Sequence, residues 1–257
     1  MLFCTWQYKN KQMKYNFFNI KLDLLNNEEF FSGIRKFYSS EKCNCISFLN
    51  AHCFNIAQKN KEYFNALNES DLLLNDGIGI KIACLLSGVK PKENMNGTDL
   101  IPKTIEDAAI HGKKIYLLGG EEGIAEKAKE KICKLYPDAI ISGFHSGFFS
   151  EQEEQQIIDE INNEKTDLLI LGMGVPKQEI WAKRNKSILN NVSIIISGGA
   201  ILDFLAEKFP RAPVIFRKLG LEWFFRLINE PKRLAKRYII GNFVFMCRII
   251  RLRVLKK

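Results

Sequence analysis

The chain reads as an α/β protein, with a Rossmann-like, mostly parallel sheet carrying helices on both faces and a basic C-terminal helical appendage. Three observations predict this. Apolar runs of strand length alternate with stretches of helical spacing, and the runs end in glycine or a short polar residue, as where a parallel strand turns into its crossover helix. Charge is also unevenly placed. Residues 211–257 carry thirteen Lys or Arg against Glu222 and Glu230, a net of +11, which leaves −2 for residues 1–210 within an overall +9. A nearly neutral α/β domain over 1–210 is thus followed by a basic amphipathic appendage over 211–257.

Taken in order, residues 1–12 look dispensable, with Met13 as a candidate start, and Tyr15–Ile20 reads as a short strand. Glu28–Tyr38 has helical spacing through Phe30, Phe31, Ile34 and Phe37, and Cys45–Leu49 reads as a buried strand closed by Asn50. A helix through Phe54, Ile56, Ala57 and Phe64 follows, then a strand over Asp71–Leu74 ending in Asn75-Asp76-Gly77-Ile78-Gly79 before another helix. Lys113–Leu118 is a strand whose Gly119-Gly120 turn leads into a helix over Ile124–Tyr136. Ala139–Phe144 is a strand, Glu151–Glu164 a helix, and Val192–Ser197 a last strand ending in Gly198-Gly199-Ala200. Pro210-Arg211-Ala212-Pro213 breaks regular structure and ends the body. Beyond it lie helical stretches over Leu219–Ile228 and over Lys232–Leu255, the second opened by Pro231 and bent at Gly241.

The centre of this pattern is Asp167–Trp181. Leu168–Leu171 is a strand covered on both faces, Gly172 and Gly174 allow a tight turn and close approach to a ligand, and Pro176 presets a helical turn at Lys177, Gln178 and Glu179. On the glycines alone this is a plain strand-turn-helix connection. Three functional side chains at one helix start, with amide NH groups expected to face the space above the strand, point to a site instead. Asp76 and Asn50 occupy equivalent strand ends. Asp76 is either a helix cap or a carboxylate that reaches a substrate, Thr98 or Asp99 reads as the cap of the helix after Gly97, and Asp203 as a first-turn carboxylate.

Several function classes are excluded. Neither a phosphate-binding loop of the Gly-x-x-x-x-Gly-Lys-Ser/Thr type nor the dinucleotide fingerprint Gly-x-Gly-x-x-Gly is present, and there is no Asp-x-Asp pair. Seven cysteines form no Cys-x-x-Cys pair, and three scattered histidines make no zinc spacing. The cysteines read as reduced packing residues in the cytosol. The N-terminus lacks the apolar run of a secretion signal, and the longest uncharged run of the tail, Tyr238–Cys247, is too short to span a bilayer. In one helix continued past Gly241, Arg233, Arg237, Arg248 and Arg251 fall within about 60° of one another. With its apolar content, that stripe fits a peripheral membrane surface better than a solvated helix or a dimer contact.

Several stretches in order resemble the WecG/TagA/CpsF family of bacterial glycosyltransferases, over roughly Phe17 to Tyr238. They are Asn75-Asp76-Gly77-Ile78-Gly79, Gly97-Thr98-Asp99-Leu100, Leu117-Leu118-Gly119-Gly120, Gly172 to Glu179, Gly198 to Phe204, Arg211-Ala212-Pro213, Gly220-Leu221-Glu222-Trp223, Arg226-Leu227, Glu230-Pro231, Arg233-Leu234 and Arg237-Tyr238. The resemblance implies an inverting, metal-independent transfer, with no cofactor, of an N-acetylmannosamine-type sugar. The donor would be a UDP-sugar and the acceptor a polyprenyl-diphosphate-linked sugar at the inner face of the cytoplasmic membrane, in surface-polysaccharide synthesis.

By the same resemblance Asp76 is the base and Gln178 lines the site, while Arg226, Arg233 and Arg237 hold the diphosphate and the membrane. Substrate contacts are expected at Asn50, Gly77, Gly97, Thr98, Asp99, Gly119, Gly120, Gly172, Gly174, Lys177, Gln178, Glu179 and Arg211. No nucleic acid is expected, and a homo-oligomer is compatible with this reading. Two departures stand out: Phe48-Leu49-Asn50 where relatives commonly have Thr-x-Asn, and Asn94 where they often have an arginine. They leave room for a different donor, such as a hexose, or for Arg211 or Arg217 to supply the charge. A rival from another class is a non-catalytic membrane- or nucleic-acid-binding module, in which Trp223, Phe224, Phe225 and Tyr238 lie among arginines.

Overall fold

The computed structural model describes residues 14–218 and 220–254. The N-terminal stretch expected to be dispensable, Met13, Leu219 and Leu255 lie outside the described residues. The chain opens with a hairpin, β1 (Tyr15–Phe17) and β2 (Ile20–Leu22), where a single strand over Tyr15–Ile20 is expected. Phe18 and Asn19 take positive φ and turn the chain back, which buries Phe17, Ile20 and Leu22 together on the body.

Helix α1 (Asn27–Phe37) follows, closed by a capping box in which Asn26 and Glu29 satisfy each other's backbone NH groups. Next come β3 (Asn44–Leu49), α2 (Ala51–Ala57), α3 (Lys61–Asn68) and β4 (Leu72–Asn75). The single helix expected through Phe54 and Phe64 is two. Asn60 takes extended backbone and its side chain accepts from the Tyr63 NH, so a cap interrupts the apolar periodicity. Then follow α4 (Gly77–Leu86), α5 (Gly97–Ile110), β5 (Lys114–Gly119), α6 (Ile124–Leu135), β6 (Ile140–His145), α7 (Glu151–Asn163), β7 (Leu168–Gly172), α8 (Lys177–Asn185), β8 (Ile194–Ser197) and α9 (Ile201–Leu205).

Six strands form one parallel sheet in the order β4-β3-β8-β7-β5-β6. Period-two alternation sends its side chains to two cores. Leu168, Ile170, Ile194 and Ile196 join Ile105, Ala128 and Ile132 on one face, while Leu169, Leu171 and Ile195 meet Ile157, Ile161 and Trp181 on the other. Burial on both faces explains why these strands are unbroken apolar runs. The register pairs Leu49 with Asn75, Gly119 with Gly172 and Leu171 with Ser197, so the strands end in a row and their connections share one crevice.

The C-terminal segment is helical: α10 (Val214–Lys218), α11 (Glu222–Asn229), α12 (Pro231–Ala235), a π turn over Lys236–Ile240, and α13 (Gly241–Val254). It packs on the body. Phe245 and Ile249 are buried among Phe54, Ile80 and Cys84, and the Phe54 and Phe245 rings meet edge-on at 5.4 Å. Asn55 Nδ2 donates to the Gly241 carbonyl at 2.7 Å. Full burial of a side chain such as Phe245 contributes roughly 1.5–3 kcal/mol. The expected bend at Gly241 is absent: Gly241 is helical, and the irregularity is the π turn before it. That turn adds a residue to the winding and breaks the expected arginine stripe. Arg233 and Arg237 face the strand-end crevice, whereas Arg248 donates to the Asn55 carbonyl and side chain at 3.0 and 2.9 Å.

Candidate active site

Strands β3 and β4 end side by side, which brings Asn50 and Asp76 together. Asn50 Oδ1 accepts from the Cys53 NH at 3.0 Å and so caps α2; its amide group is thereby oriented, and Nδ2 donates to Asp76 Oδ2 at 3.2 Å. Asp76 opens α4 without capping it. Its carboxylate is left facing the crevice. Burial raises its pKa above the ordinary 3.8, the Asn50 hydrogen bond and the charges of Arg226 and Arg237 pull it back, and Asp99 pushes it up again. The next helix, α5, is capped by Asn96, whose side chain accepts from the Asp99 NH; neither Thr98 nor Asp99 is the cap. Asn94 accepts from the Gly77 NH at 2.7 Å.

At the centre of the row, α8 turns Gln178 and Glu179 inward, and both are buried. The Gln178 NH bonds the Gly174 carbonyl, so that amide does not face the crevice as expected. Its side chain acts instead: Gln178 Oε1 accepts from the Gly199 NH at 3.0 Å and Nε2 donates to Glu179 Oε1 at 2.8 Å. Glu179 Oε2 is buried without a partner. Desolvation raises this carboxyl from 4.5 to about 7, opposed by the Gln178 hydrogen bond and its own backbone NH. Lys177 reaches the Gly147 carbonyl at 2.7 Å, and burial lowers its pKa.

Two connected cavities lie above the strand ends. The larger, about 550 Å³, is lined by Asn50, Asp76, Gly97, Thr98, Gly120, Gly172, Gly174, Lys177, Gln178 and Glu179, and is closed from the C-terminal side by Arg226, Arg233 and Arg237. The smaller, about 280 Å³, lies between α4 and the C-terminal helices and is walled by Ile78, Ile82, Trp223, Tyr238, Phe245 and Met246. Asn50, His52, Asp76, Thr98, Arg226 and Arg237 border both. The guanidinium groups are held on aromatic faces, Arg226 at 4.2 Å from the Phe204 ring centre and Arg237 at 5.4 Å from that of Tyr238. The Arg237 Nε is buried without a hydrogen-bond partner.

Gly77 and Asp99 line only the smaller cavity. Gly119 and Arg211 line neither. A Cβ on Gly119, whose φ is +154°, would stand 2.4 Å from the Gly172 backbone, so this glycine serves strand packing. Arg211 pairs with Asp99, and Arg217 approaches the same carboxylate at 3.6 Å. Phe48 places its ring against Gly97, 3.3 Å from where a Cβ would stand, and forms an apolar part of the crevice wall.

Residues that sequence reasoning passed over also belong here. His52 borders both cavities, and burial with the nearby Arg237 charge lowers its pKa to about 4, so its imidazole is neutral at pH 7. The available signal was its place two residues after Asn50. Asp203, read from the sequence as a first-turn carboxylate, does stand in the first turn of α9 and also lines the larger cavity, as does Lys208, while Glu222 lines the smaller. Among the described residues no cluster of three His, Cys, Asp or Glu is arranged to hold a metal, and no helix is long and apolar enough to cross a membrane. The six described cysteines are free.

A crevice of this shape, with a desolvated carboxylate at one end, backbone-lined turns along its floor and a row of arginines over it, suits a substrate bearing a diphosphate. The sequence matches the glycosyl transferase WecG/TagA/CpsF family over residues 15–257. It is similar to the N-acetylglucosaminyldiphosphoundecaprenol N-acetyl-beta-D-mannosaminyltransferases of Staphylococcus aureus strains MW2, NCTC 8325 and MRSA252. Each is 25% identical over 243 residues, covering 94% of both chains. The chain therefore belongs to the WecG/TagA/CpsF family and is a glycosyltransferase.

Proposed function

We propose that the protein transfers an N-acetylmannosamine-type sugar, with inversion, from a UDP-sugar to a polyprenyl-diphosphate-linked sugar, working peripherally at the cytoplasmic membrane face. The observation that carries this reading is the position of Asp76 at the junction of a polar crevice and an apolar chamber, with Arg226 and Arg237 bordering both. The crevice takes the sugar nucleotide. The chamber between α4 and the C-terminal helices takes the acceptor, whose sugar hydroxyl then lies against Asp76 while its lipid meets Ile82, Trp223 and Met246.

In the transfer the acceptor oxygen attacks the anomeric carbon and its proton passes to Asp76. The bond from that carbon to the diphosphate oxygen breaks, and UDP leaves with the electron pair. Desolvation makes Asp76 a stronger base than a surface carboxylate, and Asn50 holds the oxygen Oδ2 in place. Charge on the departing diphosphate is met by Arg226, Arg233 and Arg237, in a scheme that needs no metal. Exposed Ile239, Phe243 and Ile250 on the C-terminal helices would face the lipid surface.

The test is a panel of UDP-sugars offered with a short-chain lipid-diphosphate-linked N-acetylglucosamine, read by mass spectrometry. A product carrying one added N-acetylhexosamine supports the reading. A product formed only from UDP-hexoses would give the donor role to a hexose, consistent with the apolar Phe48 wall, and no product from any donor would refute the transfer.

A further inference from the structure

The chain enters the wall of the smaller cavity through a fixed bend. The Gly220 NH donates to the Arg217 carbonyl at 3.1 Å and the Leu221 NH to the Phe216 carbonyl at 2.8 Å, which turns the chain back at the end of α10. Gly220 takes φ +70°, and a Cβ there would stand 3.2 Å from Ile78 Cβ, so the bend lies directly on α4. Helix α11 therefore starts beside the cavity, with Glu222 and Trp223 in its wall.

A glutamate in the first turn of a helix ordinarily stays in water and complements the helix dipole. Glu222 is instead half-buried, and its Oε1 is buried without a hydrogen-bond partner. Arg217, in the wall of the same cavity, also has its Nε buried without a partner, although its Nη1 approaches Asp99 Oδ1 at 3.6 Å. An unmatched acceptor and an unmatched donor thus border one chamber, and each is unfavourable while it stays unpaired. A sugar ring, which carries hydroxyl donors and oxygen acceptors on adjacent carbons, answers both. A lipid chain carries neither and belongs against Ile82, Trp223 and Met246.

Glu222 borders the smaller cavity only, whereas Asp76 borders both. Of these two carboxylates only Asp76 lies between an acceptor in the chamber and an anomeric carbon in the crevice, which leaves Glu222 to bind. The two are close enough to interact: burial raises the Glu222 pKa, Arg226 draws it down, Asp76 raises it, Arg211 lowers it and Asp99 raises it. Groups that close can both be reached by neighbouring hydroxyls of one ring.

We propose that Glu222 selects the acceptor sugar, its carboxyl group accepting a hydrogen bond from a hydroxyl beside the one that Asp76 deprotonates, with Arg217 Nε donating to a nearby oxygen of the same sugar. This rests on the acceptor reading above and adds which residues recognise the sugar itself, apart from its lipid and its diphosphate.

The test is transfer by the full chain as wild type, Glu222→Gln and Glu222→Ala, to short-chain lipid-diphosphate-linked N-acetylglucosamine and to its mono-deoxy analogues, with UDP binding and thermal melting alongside. Loss of a hydrogen bond to a charged group should raise the acceptor KM of Glu222→Ala roughly tenfold or more at unchanged UDP affinity. Glu222→Gln, which can still accept, should fall between it and the wild type. Removing one neighbouring hydroxyl should cost the wild type a similar factor and cost Glu222→Ala little, since the partner is already gone. A wild-type acceptor KM in Glu222→Ala would overturn the role of Glu222 alone, as would equal discrimination against the deoxy analogues by variant and wild type, or donor and acceptor KM rising together. A wild-type protein that binds UDP yet transfers to no lipid-linked sugar would overturn the acceptor reading itself.

Discussion

Asn50 Nδ2 lies 3.2 Å from Asp76 Oδ2, and the other end of the same amide caps α2 through the Cys53 NH, so one side chain ties a helix start to the proposed base. Asn50→Ala should lose both, about 1 kcal/mol of stability from the cap and turnover through a misplaced carboxylate. Asn50→Asp keeps the cap and sets a second negative charge against Asp76. Like charges disfavour ionisation, so the Asp76 pKa should rise further and the acid limb of kcat/KM should move to higher pH. A pH profile of this variant that superimposes on the wild type would break the link.

The arginines are expected to replace a metal. Arg226→Ala, Arg233→Ala and Arg237→Ala should each cost on the order of 1.5–3 kcal/mol of transition-state stabilisation, including with a soluble acceptor that needs no membrane. EDTA should leave wild-type activity unchanged. Activity that EDTA abolishes and a divalent cation restores would return the arginines to surface anchoring.

Glu179 carries a stability signature. Its pKa is about 7 in the folded protein and near 4.5 unfolded, so between those values the folded state holds the proton that the unfolded state has released. Stability therefore falls as pH rises from 4.5 through 7, by about 3 kcal/mol in total, and the group has no effect below 4.5. Glu179→Gln removes the ionisation. Its melting temperature relative to wild type should climb from pH 4 to pH 8, and a pH-independent difference would show that Glu179 does not titrate in this range.

Membrane association is best probed without truncation, because Phe245 and Ile249 belong to the core and cutting the tail would uncover it. Ile239→Ser with Phe243→Ser alters two exposed side chains, 62% and 71% accessible. Sedimentation with anionic vesicles should drop for the double variant while its melting temperature holds, and wild-type binding should weaken with salt. Undiminished vesicle binding would place the contact elsewhere.

Much of the body was legible from sequence, because buried parallel strands are continuous apolar runs and their glycine or Asn/Asp ends mark the crevice. Asn50, Asp76 and Gln178 could be placed at one rim for that reason. What escaped depends on contacts distant in sequence. The arginine stripe assumed 100° per residue through Lys236–Ile240, where the helix winds as a π turn. The apolar chamber exists only because Trp223, Tyr238 and Phe245 come to rest opposite Ile78 and Ile82. Phe148-Phe149 reads as a hydrophobic pair, yet Phe148 is exposed and Phe149 packs at the second core. Asn60 and Asn96 were readable as caps, but an apolar periodicity runs straight through Asn60, and Thr98 and Asp99 compete with Asn96 for that role in a linear reading.

Asp76 is proposed to take the acceptor's proton during transfer from a UDP-sugar. Single-turnover transfer by wild type and Asp76→Asn, with the donor bound before the acceptor is added, tests it most directly. The amide keeps the shape and loses the basicity, so the wild type should give product with an inverted anomeric centre. The variant should react about 10²–10⁴-fold more slowly at unchanged UDP affinity. Near wild-type turnover by Asp76→Asn would contradict it.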